Sequence, residues 1–185
     1  MPGVLLVVQI KSETKGVISG MIIAISNLFG LPAHPFLVHI PIVLIPLATI
    51  TAVASINKKF RAQMLLSTAA MSVVGLAFLS LAAGAGESLQ HDLPRSQAIR
   101  EHAESGEKSQ GPTAVFAFAA VGAVLAGEAT KRKFVYKGKS LPKWSATALL
   151  LLTVVGGIAS TVAVSQAGHS GAKSVWDSRP SKKKP

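Results

Sequence analysis

Histidine and glutamate are the residues in this sequence whose types are best suited to binding chemistry. The chain contains five histidines and no cysteine, which excludes disulfides, thiolate metal sites, iron–sulfur clusters and thioether-linked haem. Any metal ion would therefore need imidazole, carboxylate or backbone oxygen ligands. The sequence has no nucleophilic triad, phosphate-binding glycine loop or zinc-protease motif. It does not indicate an enzyme that acts on its own.

The histidines must be placed by long apolar segments, because the charged residues are confined to short blocks. Hydrophobic residues make up 49% of the chain and charged residues 15%. Four runs lack any charge, at 34–57, 62–86, 109–127 and 144–172. Each can form a helix across a bilayer core of about 30 Å, which takes about 20 residues. We expect an all-α membrane protein, an antiparallel bundle of four transmembrane helices at about 36–57, 62–89, 111–130 and 144–168.

The two ends of the chain differ from this central region. Residues 1–29 form a partly apolar extension that Lys11, Glu13 and Lys15 interrupt. A fifth, N-terminal helix is the main structural alternative there. Residues 30–177 form the transmembrane domain, and residues 178–185 form a basic tail.

Basic residues predict the orientation in the membrane. Lys58, Lys59 and Arg61 lie between the first and second helices, and a second basic block, 131–143, lies between the third and fourth. Short cytoplasmic loops carry the excess of Lys and Arg, so both links should be cytoplasmic and both termini extracytoplasmic, in the plasma membrane. The same placement explains the net charge of +11, because basic residues at membrane boundaries set the topology and contact anionic lipid headgroups. We therefore expect no nucleic-acid binding.

This topology sends all five histidines to the extracytoplasmic face. His34 and His39 begin the first helix, His102 precedes the third, and His169 ends the fourth. His91 lies in a polar turn and is left out of the candidate set. Ionisable groups inside a membrane are functional candidates by default, which makes His39 the strongest single candidate.

Three of the candidate histidines also have a structural interpretation. His39 can hydrogen-bond a neighbouring carbonyl and steady a helix that Pro41 and Pro46 should bend. His34 and His169 can be solvated imidazoles at the membrane interface. These alternatives stay open on the sequence alone.

Two carboxylates are predicted on the same face, since Glu87 closes the second helix and Glu104 lies close to His102. Imidazole with carboxylate is a ligand set for zinc, copper or iron, and paired histidines on facing helices can hold haem b. The spacing does not choose between them. We hypothesise a haem or metal site, with a role in electron transfer, whose candidates are His34, His39, His102 and His169, with Glu87 and Glu104 as further metal ligands.

Four short motifs surround these candidates. They are Gly30-Leu31-Pro32-Ala33-His34-Pro35 with Val38-His39, Gly86-Glu87-Ser88-Leu89, Glu101-His102-Ala103-Glu104-x-Gly106-Glu107, and Gly168-His169-Ser170-Gly171-Ala172-Lys173 with Trp176. Over about residues 28–177 their order and spacing resemble the bacterial membrane protein family catalogued as domain of unknown function 2231, most closely its actinobacterial branch. The resemblance implies a four-helix membrane domain of unestablished activity, with motif histidines at the four candidate positions.

Two other classes of function compete with a cofactor site. A small transporter or proton-conducting bundle could use His39 and Glu87 as relay groups, although the cytoplasmic halves of the predicted helices hold few polar residues. A structural accessory subunit could bind another membrane protein through rows of small residues, such as Gly156 and Ser160. Membrane lipids and a membrane or redox partner are the expected partners.

Overall fold

A computed structural model describes residues 27–28, 31–94, 96–131, 135–136, 139–140 and 142–176. The basic tail and nearly all of the N-terminal extension, including the segment of the alternative fifth helix, lie outside the described residues. So do residues 132–134, 137–138 and 141 of the basic block between the third and fourth helices.

Four α-helices make up most of the described chain: α1 (His34–Ala54), α2 (Arg61–Asp92), α3 (Gln97–Lys131) and α4 (Lys143–Trp176). All four are long and apolar enough to cross a membrane. Two antiparallel pairs of very short strands accompany them, β1 (Asn27–Leu28) with β2 (Leu31–Pro32) and β3 (Val135–Tyr136) with β4 (Lys139–Ser140). The predicted all-α membrane fold with four spans is confirmed.

Local interactions determine where α1 begins and where it ends. Pro35 lies in the first turn, where a proline loses no helical hydrogen bond and its fixed φ favours the helix. At the other end the Arg61 side chain donates to two terminal carbonyls, from Nε to Ser55 O at 3.1 Å and from a terminal nitrogen to Ile56 O at 3.0 Å. These bonds satisfy acceptors that a helix end leaves free.

Helix α3 begins at Gln97, well before the expected start near residue 111. Its first turn is capped by Ser96, whose Oγ accepts from the Ile99 amide at 3.2 Å. Contacts between side chains one turn apart then stabilise the polar segment. The Gln97 amide donates a hydrogen bond to the Glu101 carboxylate at 2.8 Å. The Glu104 carboxylate pairs with Arg100 and with Lys108, at nitrogen–oxygen distances of 3.8 Å and 3.6 Å. His102 therefore lies on a helix and not in a loop.

The helices form a closed antiparallel bundle, because each packs against its sequence neighbours and α4 also packs against α1. Small residues allow close approach. A Cβ atom added at Gly156 in α4 would lie 3.3 Å from the Cα atom of Phe116 in α3. Phe116 is fully buried and packs across the bundle on Ala48 and Ala52 of α1.

Hydroxyl pairs join the helices inside the bundle. The hydroxyl oxygens of Thr113 in α3 and Ser160 in α4 lie 2.6 Å apart. The corresponding distance is 2.9 Å between Thr49 in α1 and Thr161 in α4, and 2.8 Å between Thr51 in α1 and Thr68 in α2. Among the described residues, no buried side-chain nitrogen or oxygen lacks a hydrogen-bond partner. The polar interior is thus structurally satisfied, as expected where lipid offers no partners.

Candidate functional site

The first residues of α1 and α3 meet the last turns of α2 and α4 at one end of the bundle, here called the histidine end. The α1–α2 link, residues 55–60, lies at the opposite end, here called the basic end. His34 is the first residue of α1, and His102 lies in the second turn of α3. The topology therefore brings these two histidines to the same end.

His34 and His102 face each other across the bundle. Their Nε2 atoms lie 3.5 Å apart. The ring centroids are separated by 5.7 Å and the ring planes meet edge to face at 74°. Both side chains are half-buried. We call this arrangement the imidazole pair.

The opposite nitrogen of each ring is held by a backbone carbonyl. His34 Nδ1 lies 2.7 Å from Ala82 O in α2, and His102 Nδ1 lies 3.1 Å from Ala167 O in α4. A carbonyl oxygen only accepts hydrogen bonds, so both Nδ1 atoms carry the proton. In the neutral rings neither of the two facing Nε2 atoms then carries a proton. Such a pair is stabilised when a cation, either a proton or a metal ion, lies between the two nitrogens.

Two glycines allow the rings to lie directly against helix backbones. A Cβ atom at Gly86 in α2 would lie 2.8 Å from His34 Nδ1, and one at Gly171 in α4 would lie 2.9 Å from His102 Cε1. Distances this short do not occur for real Cβ atoms. Ser170 adds a polar contact, since its Oγ lies 3.2 Å from His102 Nδ1 while donating to Ala167 O at 2.9 Å.

The role of these glycines was not predicted from the sequence. Both glycines occur in the short motifs, but the predicted site residues were polar neighbours, Glu87 and His169. A glycine inside a long helix, with no turn to explain it, was the available signal.

The other two candidate histidines are exposed on the surfaces of their helices. His39 is exposed, and its Nδ1 donates to the Pro35 carbonyl one turn earlier in α1. This is the structural interpretation that the sequence offered for His39. His169 is exposed on α4.

The candidate carboxylates are also exposed. Glu87 lies on the surface of α2, and Glu104 lies between Arg100 and Lys108 on the surface of α3. His91 is exposed as well. Across the part of the chain that the structure describes, no group of three or more His, Cys, Asp or Glu side chains is arranged to hold a metal ion. Of the six predicted site residues, the structure brings together His34 and His102.

The separation of the two Nε2 atoms would allow both imidazoles to bind one metal ion. With metal–nitrogen bonds of about 2.0–2.1 Å, a nitrogen separation of 3.5 Å gives a nitrogen–metal–nitrogen angle of about 117°. That angle is close to tetrahedral. An Nδ1–H group donating to a backbone carbonyl is also the usual outer contact of a metal-binding histidine.

Comparison with known proteins identifies the family of the chain. A family model described as "Predicted membrane protein (DUF2231)" matches residues 30–183, a range that includes all four helices and both members of the imidazole pair. No curated protein and no solved structure is significantly similar to the chain.

Proposed function

The chain belongs to the DUF2231 family of predicted membrane proteins, and we propose that it binds one transition-metal ion between Nε2 of His34 and Nε2 of His102. The observation that supports this proposal is that the two Nε2 atoms lie 3.5 Å apart while both Nδ1 atoms are hydrogen-bonded to backbone carbonyls. Zinc, copper and iron all accept imidazole ligands. The family description names no activity, so the proposal rests on this geometry.

Preorganisation supports the proposal. Each ring is fixed by a hydrogen bond to a helix other than its own, and by contact with a glycine in that same helix. The two nitrogen lone pairs are therefore held in place before any ion arrives. Outer contacts of this kind set the tautomer and raise the basicity of the ligating nitrogen.

The same geometry favours a bare ion over haem b. Haem b would have to place its macrocycle between the two rings. The imidazole pair has a separation of 3.5 Å, and α2 and α4 pack directly against the two rings at Gly86 and Gly171.

We place this site on the extracytoplasmic side of the plasma membrane. Lys58, Lys59 and Arg61 at the basic end favour a cytoplasmic location for that end, and the histidine end lies opposite. A metal held there can exchange electrons or ions with a redox or membrane partner. Lipids surround the apolar outer faces of the helices.

Metal analysis of the full chain tests the proposal. Protein purified in mild detergent from metal-supplemented, haem-replete cells should contain about one zinc, copper or iron ion per chain by mass spectrometry, with no Soret band. His34→Ala and His102→Ala should each lose this ion, whereas the exposed-site controls His39→Ala and His169→Ala should keep it. Circular dichroism and gel filtration show whether each variant is folded. Folded wild-type protein that acquires no ion, or a folded His102→Ala variant that binds as well as wild type, refutes the proposal.

The imidazole pair also supports a second candidate, a proton relay, because one proton can bridge two facing Nε2 atoms. In that function His34 and His102 replace His39 and Glu87 as the relay groups, since the latter two are exposed. Proton flux into proteoliposomes should then be present without added metal and abolished by His102→Ala. Absence of flux through folded wild-type protein rejects the relay.

A further inference from the structure

We propose that the outward face of α4 binds the headgroup of an anionic phospholipid at the histidine end, through Gln166, His169 and Lys173. Neither the imidazole pair nor a metal ion takes part in this site. Three features of α4 point to it: a continuous row of exposed side chains, the depth of that row in the membrane, and the charge of the surrounding chain.

The row of exposed side chains runs along α4 on the side away from the bundle. Its members are three or four residues apart, so they share one face of the helix. The apolar part of the row consists of Leu151, Val155, Ile158 and Val162. Gln166, His169 and Lys173 continue the row towards the histidine end, and all three are exposed in the described part of the chain.

The depth of the row places its polar part among lipid headgroups. Trp144 is exposed at the basic end of α4, and tryptophan is enriched at membrane boundaries. Gln166 comes 22 residues after Trp144, about 33 Å along the helix, which is close to a hydrocarbon thickness of about 30 Å. His169 and Lys173 lie about 5 Å and about 10 Å further out. The flexible stem of Lys173 allows its ammonium group to reach back into the headgroup layer.

The distribution of charge favours an anion beside α4. This helix contains no aspartate or glutamate, and Lys173 is its basic residue at the histidine end. Residues 173–185 include five basic residues and one acidic residue, so the chain that follows Lys173 adds net positive charge. By contrast, the segments of α2 and α3 at this end contain Glu87, Asp92, Glu101, Glu104 and Glu107. An anionic headgroup is therefore attracted to α4 more strongly than to α2 or α3.

The polar and apolar parts of the row together match a phospholipid. Lys173 offers a positive charge and three N–H donors, and the Gln166 amide and the His169 imidazole add neutral N–H donors. Charge-assisted hydrogen bonds to phosphate oxygens are the strong ones. Val162 and Ile158 lie directly below on the same face, where the acyl chains of a bound lipid would run. A free phosphate ion would leave this apolar part unused, so the continuous row fits a lipid.

Native mass spectrometry of the full chain in an uncharged detergent tests the proposal. Phosphatidylglycerol is titrated in parallel with phosphatidylcholine, a lipid of no net charge, with the same acyl chains. We expect wild-type protein to bind phosphatidylglycerol more tightly. Lys173→Gln should weaken that binding about fivefold, since one basic residue near an anionic surface contributes about this much. Lys173→Arg keeps the charge and should bind as the wild type does.

His169→Ala and Gln166→Ala each remove a neutral donor, and each should weaken phosphatidylglycerol binding about threefold. Because all three positions are exposed, these variants should fold, which circular dichroism and gel filtration verify. The N-terminal extension and the basic tail are present in the full chain. If either segment covered the row, phosphatidylglycerol would not bind there and the proposal would fail.

Lys108→Gln is the matched control, because Lys108 is an exposed lysine at the same end that pairs with Glu104 at 3.6 Å. It should bind phosphatidylglycerol as the wild type does. A second control replaces Lys182, Lys183 and Lys184 of the tail with glutamine. Loss of the lipid preference in this tail variant, with none in Lys173→Gln, assigns the attraction to the tail and overturns the site on α4.

Two other results overturn the proposal. One is equal affinity of folded wild-type protein for phosphatidylglycerol and phosphatidylcholine. The other is displacement of phosphatidylglycerol by an equal concentration of inorganic phosphate, which would show that the site binds a free anion.

Discussion

The Nε2 atoms of His34 and His102 lie 3.5 Å apart, although the residues are 68 positions apart in the chain. Each ring is held from a further helix, by the carbonyl of Ala82 in α2 for His34 and by that of Ala167 in α4 for His102. All four helices thus determine the separation of two nitrogen atoms. Substitutions that touch neither nitrogen should still change what the pair can bind.

Gly86→Ala should weaken metal binding without unfolding the protein. The new Cβ would lie 2.8 Å from His34 Nδ1, so the ring must move away from its carbonyl on Ala82. Loss of an outer contact of this kind lowers metal affinity by about 10- to 100-fold. Competition with a chromophoric chelator measures the change.

Gly106→Ala is the matched control for that substitution. Gly106 also lies in a helix near the histidine end, but an added Cβ meets nothing within 4 Å. Its metal affinity should equal that of the wild type. Equal affinity in Gly86→Ala would show that the contact between His34 and α2 is irrelevant to the site.

The protonation pattern of the imidazole pair can be measured directly. Because both Nδ1 atoms face carbonyl oxygens, the neutral rings of His34 and His102 should carry their protons on Nδ1. Two-bond ¹H–¹⁵N correlation spectra of the ¹⁵N-histidine-labelled protein, assigned with His34→Ala and His102→Ala, report this tautomer. Added Zn²⁺ should shift the Nε2 resonances of both residues. Rings protonated on Nε2 would contradict the geometry that carries the metal proposal.

Sequence reasoning predicted the helices and the convergence of the histidines, but not which histidines face inward. Uncharged runs define the membrane spans, and the number of crossings then sends His34 and His102 to one end. Which histidines face the interior depends on the rotation of each helix about its own axis. His34 and His39 are five residues apart in α1, or about 140° around its axis, so they cannot both point into the bundle, and packing decides between them.

The start of α3 was harder to predict for a different reason. Charged residues interrupt the apolar pattern before Ser109, so the pattern alone indicates a loop around His102. The helix continues outward because Glu104, Arg100 and Lys108 alternate in sign one turn apart. Gly171 likewise looks like a helix stop in sequence, yet it lies within α4 and makes room for the His102 ring.

Thr113→Val should destabilise the bundle by about 1 kcal/mol, in the range measured for interhelical hydrogen bonds in membranes. Thr113 and Ser160 are fully buried and their hydroxyls lie 2.6 Å apart. Valine keeps the volume but leaves Ser160 without this partner. Thermal or denaturant unfolding in detergent, in a double-mutant cycle with Ser160→Ala, isolates the coupling.

Thr147→Val provides the matched control in α4, because Thr147 is exposed. It should leave the unfolding free energy nearly unchanged. A coupling of zero between Thr113 and Ser160 would mean that this hydroxyl pair does not stabilise the contact between α3 and α4.

The orientation of the site can be tested with single cysteines, since the natural chain has none. Glu104→Cys lies near the histidine end and Lys59→Cys at the basic end, and both positions are exposed. In intact cells, a membrane-impermeant maleimide should label Glu104→Cys at once and Lys59→Cys only after permeabilisation. The reverse pattern would place the imidazole pair on the cytoplasmic side. A bound ion would then come from the cytoplasm, and the basic α1–α2 link would violate the positive-inside rule.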